Sequence, residues 1–223
     1  MTRPTPLALK PRKSPSQARS TATVEAIHTA TIQLLLTDGV ARLTTTRVAE
    51  RAGVSVGTMY QYYPHKEALL FALVTAQLEA IAAAMENAAA DLTGRSLCAI
   101  SDGIAAAWLD AKTADIVGSR AIYGIAAEFD IVEMTRERSV QMIDAIETLL
   151  TTASDAVVAR PREVAFMLLA VMGGSVRTVL ERGARDEELE VLRAELPLVC
   201  RQYLAVSAHP LAARSDAEEL TRV

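Results

Sequence analysis

Between Thr44 and Lys66 the chain reads TTTRVAERAGVSVGTMYQYYPHK and gathers hydrogen-bonding side chains at helical spacing. Thr45, Thr46 and Arg47 open one short segment. Ser55, Thr58, Tyr60, Gln61 and Tyr62 occupy a second, and Lys66 opens a third. Hydroxyl, amide, guanidinium and ammonium groups in this density suit non-covalent recognition of a polyanion. Cations and hydroxyls hold phosphate oxygens, while amide and hydroxyl tips reach base edges. Val56 can touch a thymine methyl. Gly57 costs about 1 kcal/mol of helix stability against Ala, a cost that makes sense where another surface must come close to bare backbone.

These groups need elements to aim them. Val48, Ala49 and Ala52 fall on one face of a two-turn helix, with Arg47, Glu50 and Arg51 on the other. Thr44 or Thr45 can cap its free amides. Gly53 sits where the helix must end in a left-handed residue, and Val54 then turns inward. Ser55 can cap a second helix, Val56 to Tyr62, with Met59 toward the core; Pro64 stops it. Two short helices around a tight Gly turn make a helix-turn-helix, whose second helix enters the major groove of DNA. A plain helical hairpin in a larger bundle would share the turn, but not the outward run of Thr, Gln, Tyr and Lys.

The pairs Val48-Ala49, Ala52-Gly53-Val54-Ser55, Gly57-Thr58-Met59-Tyr60, Tyr62-Tyr63 and Lys66-Glu67 together resemble the DNA-binding domain of the tetracycline-repressor (TetR) family of bacterial regulators. Met59 stands where the family pattern has Leu, and Tyr63 where it has Phe. The likeness covers residues 20 to 75; beyond it, only length and helical character match. It implies an all-α protein of about nine helices: a three-helix helix-turn-helix domain followed by a helical ligand-binding and dimerisation domain. It also implies double-stranded operator DNA, a small-molecule effector and a second copy of the chain as partners.

Composition agrees with that class. The chain has 223 residues, 51% of them hydrophobic and only 4% aromatic, the profile of a packed helical protein. No unbroken apolar run reaches the ~18 residues of a membrane span, and the basic N-terminus lacks the apolar segment of a signal peptide. Cys98 and Cys200, the only cysteines, stand far apart and fit a reducing cytoplasm. Net charge is −4 overall, yet residues 1 to 70 carry nine basic against four acidic groups, a net +5 that leaves −9 for the rest. A basic head on an acidic body is the polarity expected when the head alone meets DNA.

Along the chain, residues 1–19 form a Pro-containing basic arm with Arg3, Lys10, Arg12, Lys13 and Arg19 and no acid. It reads as flexible, and suited to lie along phosphates or in the minor groove. The helix-turn-helix domain takes residues 20–66. Its first helix, 20–38, places Val24, Ile27, Thr31, Leu34 and Leu35 on one side, with Ser20 or Thr21 as cap; Val40 and Leu43 plug the core. Residues 67–208 form the second domain and 209–223 a tail. Further helices are expected at 65–91, 95–112, 115–128, 130–153, 161–182 and 187–207, with no strand. Pro197 should kink the last helix or shift its start.

The last two helices are the dimerisation candidates, through Phe166, Leu169, Gly173, Val176, Leu180, Leu192, Leu196, Val199 and Tyr203. By resemblance they pair with their symmetry mates in a four-helix bundle. The middle helices would then enclose an effector pocket, for which Met85, Trp108, Tyr123, Phe129, Met134 and Met142 are the adaptable or aromatic candidates. Few charges fall on inward faces there, so the effector is expected to be apolar or amphipathic, with Asp102, Arg120 and Glu128 as candidate polar contacts.

Reactive chemistry is missing. The sequence has no phosphate-binding Gly loop, no paired Cys or His at metal spacing and no nucleophile elbow. His28, His65 and His209 share no site. No enzyme, metal or cofactor is expected. The expectation is a cytoplasmic, homodimeric repressor released from a palindromic operator by its effector. The alternatives are an activator or nucleoid-type DNA binder without small-molecule control, and a small-molecule-binding protein without DNA function.

Overall fold

The structure, a computed structural model, describes residues 18–128 and 132–211. Nine α-helices occur among them: α1 (Ala18–Asp38), α2 (Thr45–Ala52), α3 (Val56–Tyr62), α4 (Lys66–Leu92), α5 (Leu97–Thr113), α6 (Ile116–Glu128), α7 (Val132–Leu150), α8 (Pro161–Glu181) and α9 (Asp186–Ser207). A 3-10 turn, Val40–Arg42, follows α1. Two three-residue strands, β1 (Ala156–Val158) and β2 (Ala208–Pro210), pair antiparallel with Val157 opposite His209. They correct the expectation of no strand: three residues are too few for a period-2 pattern to register, and pairing rather than propensity defines them.

Packing divides the chain into two units that do not follow the ranges read from sequence. One comprises Met1–Ile81, Lys112–Arg136 and Leu180–Ala184; the other Ala82–Ala111, Glu137–Val179 and Arg185–Val223. In the first, α1 buries Ile27, Ala30, Thr31, Leu34 and Leu35, the stripe its spacing predicts. The Thr31 hydroxyl loses nothing by burial, because it donates to the Ile27 carbonyl at 2.7 Å. Val40 and Leu43 close the core below the turn. The same core takes Met59, Tyr62 and Tyr63 around α3, Leu69, Leu70, Leu73 and Val74 of α4, and Ala121 and Ile125 of α6. So α6 is part of the hydrophobic core of the helix-turn-helix, not only of the body that follows it.

Two buried-side hydroxyls are tied back to α1. Ser20 Oγ lies 2.9 Å from the Tyr62 hydroxyl. Since α1 already runs from Ala18, Ser20 is inside the helix rather than its cap. His28 Nε2 lies 2.8 Å from the Tyr63 hydroxyl. Burial lowers the His28 pKa from 6.5. Burial, with Tyr62 alongside, pushes the Tyr63 hydroxyl up to about 12.

In the second unit, Asp155 accepts from the Leu97 amide at 2.7 Å and caps α5, while Thr152 accepts from the Gly94 amide at 3.1 Å. The link from α7 to α8 is thereby fastened to the start of α5, and β2 holds it from the other side. Trp108 is buried and donates its indole N–H to the Met172 carbonyl of α8 at 3.1 Å. A Cβ on Gly173 would sit 3.8 Å from the same ring, in ordinary van der Waals contact, so the indole packs over this part of α8 without itself demanding glycine. Arg201 of α9 grips Asp102 of α5 through two hydrogen bonds, 3.0 and 2.6 Å. α9 runs from Asp186 to Ser207 with Pro197 inside it, so the proline does not shift the start of the helix. The amide missing at Pro197 costs one helical bond, and Leu189, Leu192, Leu196, Cys200 and Leu204 stay buried on either side of it.

α4 and α8 are each long and apolar enough to cross a membrane, although neither holds an unbroken apolar run. Ala and large apolar residues keep their mean hydropathy high, and many of the large side chains pack inside this fold: Leu69, Leu70, Leu73, Ile81 and Met85 on α4, and Val164, Leu168, Met172 and Val176 on α8.

The His28 ring resists protonation when folded. Its neutral form contributes stability above the unfolded value of 6.5, and this stability is lost as pH falls through the lowered value. The urea midpoint should therefore drop between about pH 7.5 and about pH 5.5, and drop less in a His28→Gln chain, which keeps a polar partner for Tyr63 without titrating. Equal drops would clear His28 of the effect.

Candidate nucleic-acid interface

The turn that sets the two short helices is built by local rules. Thr44, extended, accepts from the Arg47 amide through its side chain and caps α2. Gly53 ends α2 in the left-handed region at φ 68°, where a Cβ would be strained, and its amide returns to the carbonyls of Ala49 and Glu50. Ser55 caps α3: its Oγ accepts from the Thr58 amide at 2.9 Å and meets the Thr58 hydroxyl at 2.8 Å. Met59, fully buried, pins α3 from beneath.

This pinning divides α3 into two faces. Met59 and Tyr62 point into the core, whereas Val56, Gly57, Tyr60 and Gln61 form one exposed stripe, with Tyr60 at 44% relative exposure. Thr46 and Ser55 are exposed beside it, and Thr58 and Lys66 are half-buried. These eight expected contacts remain on or near the surface.

Three others do not. Tyr62 is 6% exposed: its ring belongs to the core and its hydroxyl faces Ser20. The spacing of a seven-residue helix makes position 62, three after Met59, an inner position. Thr45 is 8% exposed, with its hydroxyl 3.4 Å from that of Tyr60; it steadies the exposed Tyr60 from behind. Arg47 turns away from the stripe. Its guanidinium binds the Asp38 carboxylate at 2.6 Å and the Arg42 carbonyl at 2.9 Å, which fastens α2 to the end of α1. Arg51 likewise donates to Gln33 at 2.8 Å. Sequence reasoning passed over Asp38 and Gln33, whose only signal is a polar residue near the end of α1.

At the start of α4, His65 Nδ1 accepts from the Ala68 amide at 3.2 Å, so the ring caps the helix, and the Glu67 carboxylate lies 3.2 Å from the same nitrogen. Lys66 follows as the first helical residue, where the helix dipole favours an anion. Added at Gly57, a Cβ would meet only Ser55 Oγ, at 3.7 Å. Nothing among the described residues requires glycine there.

The expected effector residues divide similarly. Met85, Trp108 and Met142 are buried. Trp108 has its N–H engaged by Met172, and Asp102 is committed to Arg201. Tyr123 is half-buried with the Lys112 ammonium 5.4 Å from its ring centre. Phe129 and the Met134 side chain lie outside the described residues. Among the dimer candidates, Val176, Leu180, Leu192 and Leu196 are buried in the chain's own core, and Gly173 faces Trp108. Leu169 and Tyr203 are half-buried. Phe166 and Val199 remain exposed, joined by Met167, Val191, Leu198 and Val206. Both helices carry apolar residues on two faces, and the inner seam is the one taken up within the chain.

Residues 27–73 match the model described as "Bacterial regulatory proteins, tetR family", and residues 96–204 the model described as "Tetracyclin repressor-like, C-terminal domain". Among solved structures, a SmeT–triclosan complex is similar at 21% identity and TM-score 0.66, covering 83% of this chain and 91% of that one. SmeT, the repressor of the Stenotrophomonas maltophilia multidrug efflux pump SmeDEF, matches at 19% identity and TM-score 0.64, covering 84% and 93%. Salmonella enterica GusR matches at 19% identity and TM-score 0.66, covering 86% and 97%. At these identities the likeness is one of fold. No curated protein matches the chain.

Two substitutions probe the stripe. Gly57→Ala should raise stability by about 1 kcal/mol and yet weaken binding to duplex DNA, because the added methyl points outward into the approaching surface. Urea unfolding and gel shift measure the two effects, and unchanged binding would mean that nothing approaches α3 at that point. Lys66→Ala should reduce the salt slope of DNA binding by about 1. Arg47→Ala should lower affinity and stability while leaving the slope as it is, since its charge is already matched by Asp38.

Proposed function

Because the chain belongs to the TetR family of DNA-binding transcriptional regulators, we propose that it is a cytoplasmic, non-catalytic, homodimeric repressor, released from a palindromic operator by a small amphipathic effector. The observation that carries this is the exposed stripe Val56, Gly57, Tyr60 and Gln61 on a helix pinned by Met59. Val56 and Gln61 meet base edges. Thr46, Ser55, Thr58, Tyr60 and Lys66 hold the backbone. Thr45, Arg47 and Tyr62 act from behind by fixing the stripe in place.

A single stripe reads one half-site, and two stripes about 34–36 Å apart read a two-fold operator. The exposed apolar residues of the second unit favour a second copy as the means of setting that distance. Phe166, Met167, Ala170 and Gly174 share the outer face of α8, and Val191, Ala194, Leu198 and Val206 that of α9. Phe166 is 55% exposed and Val206 79%, apolar surface that a symmetric contact would remove from water. The effector acts by binding more tightly to the state whose heads do not fit the operator. Its leverage equals that difference in affinity, typically about 1–3 kcal/mol.

Gel shift with a palindromic duplex in low and high salt tests DNA binding, and sedimentation tests the pair. Gly174→Trp should fold as wild type, since a Cβ there meets nothing within 4 Å, but should sediment as a monomer and lose cooperative binding to the palindrome. A wild-type chain that is monomeric, or that ignores duplex DNA in low salt, would contradict the proposal.

A further inference from the structure

We propose that α3 reads A·T pairs: Gln61 binds the edge of an adenine, and Val56 packs on a thymine methyl about two base pairs away in the same half-site. This rests on, and narrows, the repressor function proposed above. The angular order of the stripe is the starting point. At about 100° per residue, Met59 and Tyr62 set the buried side of α3, and Gly57 falls almost opposite them. The crest that comes closest to a groove is therefore bare backbone. Tyr60 and Gln61 stand on either side of it, with Val56 beyond Tyr60 at the edge of the stripe. With no side chain at the crest, the helix can sink until the flanking groups reach base edges.

The side chains at hand then discriminate among bases. α3 carries no charged residue, so it lacks the Arg or Lys that would bind O6 and N7 of guanine and the carboxylate that would accept from cytosine. The cations of α2 do not replace them. Arg47 is held by Asp38 and the Arg42 carbonyl, and Arg51 donates to Gln33. The Ser55 and Thr58 hydroxyls engage each other at 2.8 Å, and the Tyr60 hydroxyl lies 3.4 Å from that of Thr45. Gln61 is exposed, and its amide has no partner among the described residues. A carboxamide places an acceptor beside a donor. Adenine presents the matching N6 donor and N7 acceptor, whereas guanine presents two acceptors, and cytosine and thymine one polar group each. Val56, 38% exposed, brings two methyls, for which the thymine methyl is the apolar partner in the major groove. Gln61 follows Val56 by five residues, about 7.5 Å along the helix axis, or roughly two base-pair steps of about 3.4 Å.

The full-length chain selects its preferred duplex from a random-sequence pool, and gel shifts follow on that duplex and its single-position variants. The half-site core should hold an adenine whose replacement by guanine weakens binding about tenfold or more. It should also hold a thymine whose replacement by deoxyuridine, which removes only the methyl, weakens binding about threefold. Replacing the adenine by 7-deazaadenine, which lacks the N7 acceptor, should weaken wild type and leave Gln61→Ala unaffected. Gln61→Arg should move the preference at that position to guanine, and Val56→Ala should lose the response to deoxyuridine. The salt slope should stay the same in Gln61→Ala and Val56→Ala, since neither residue is charged. Far-UV circular dichroism identifies any variant that fails to fold, and the modified bases test the wild-type chain in any case. Site-specific binding to a half-site core of G·C pairs overturns the base assignment and leaves the repressor function standing. So does an A·T preference that persists unchanged in folded Gln61→Ala and Val56→Ala chains, or a wild-type chain indifferent to both modified bases. A chain that binds no duplex in low salt removes both proposals.

Discussion

The constraint on which the rest depends is the single apolar core in which Met59 of α3 and Ile125 of α6 are both buried. A core packed to crystal density does not deform smoothly; when one wall moves, the others must repack. Burial of one Met or Ile side chain is worth about 1.5–3 kcal/mol. That is as large as the whole coupling energy of about 1–3 kcal/mol that a ligand-responsive protein typically uses. A reading helix of seven residues has few contacts of its own, which makes its orientation a property of the core beneath it.

Legibility in the sequence followed the range of the interactions. Gly53, Ser55 and Met59 could be placed from neighbours within one helical turn, and so could the buried stripe of α1. Arg47 and Tyr62 could not. Their positions are settled by Asp38 and by Ser20, the latter 42 residues away, and nothing local distinguishes a guanidinium aimed at phosphate from one aimed at a carboxylate. The Gln77–Ser119 contact spans 42 residues as well, and nothing local to either residue announces it.

Four of the residues expected at the dimer interface, Val176, Leu180, Leu192 and Leu196, are buried within the chain for a different reason. Periodicity reports that a face is apolar, but α9 has two such faces. One carries Leu189, Leu192, Leu196, Cys200 and Leu204; the other carries Val191, Leu198, Val199 and Val206. Hydrophobic spacing alone cannot say which is covered within the chain and which is left for a partner. The more regular Leu seam went to the interior. The outer face uses smaller, β-branched residues along with Leu198, and α8 adds Phe166 and Met167 to the outer surface.

Electrostatics assigns different work to different segments of the head. The net +5 of residues 1–70 suggests more phosphate contacts than the helix-turn-helix itself can make. Arg47 is held by Asp38 and Arg51 by Gln33, which leaves Arg42 of the 3-10 turn and Lys66 of α4 outside those contacts. Four further charges, Arg3, Lys10, Arg12 and Lys13, precede α1. Counterion release scales with the number of phosphates neutralised, so in the proposed function the residues ahead of α1 supply much of the salt-dependent affinity. The nearly uncharged stripe Val56, Gly57, Tyr60 and Gln61 adds little to attraction at a distance. It gains energy only on close fit, by hydrogen bonds and methyl contacts that a wrong base pair would break at about 1–3 kcal/mol each. Attraction without sequence preference and preference without long-range attraction thus reside in different parts of the same head. The Asp38–Arg47 pair is one reason they can: it neutralises the cation that would otherwise add sequence-blind affinity beside the reading helix.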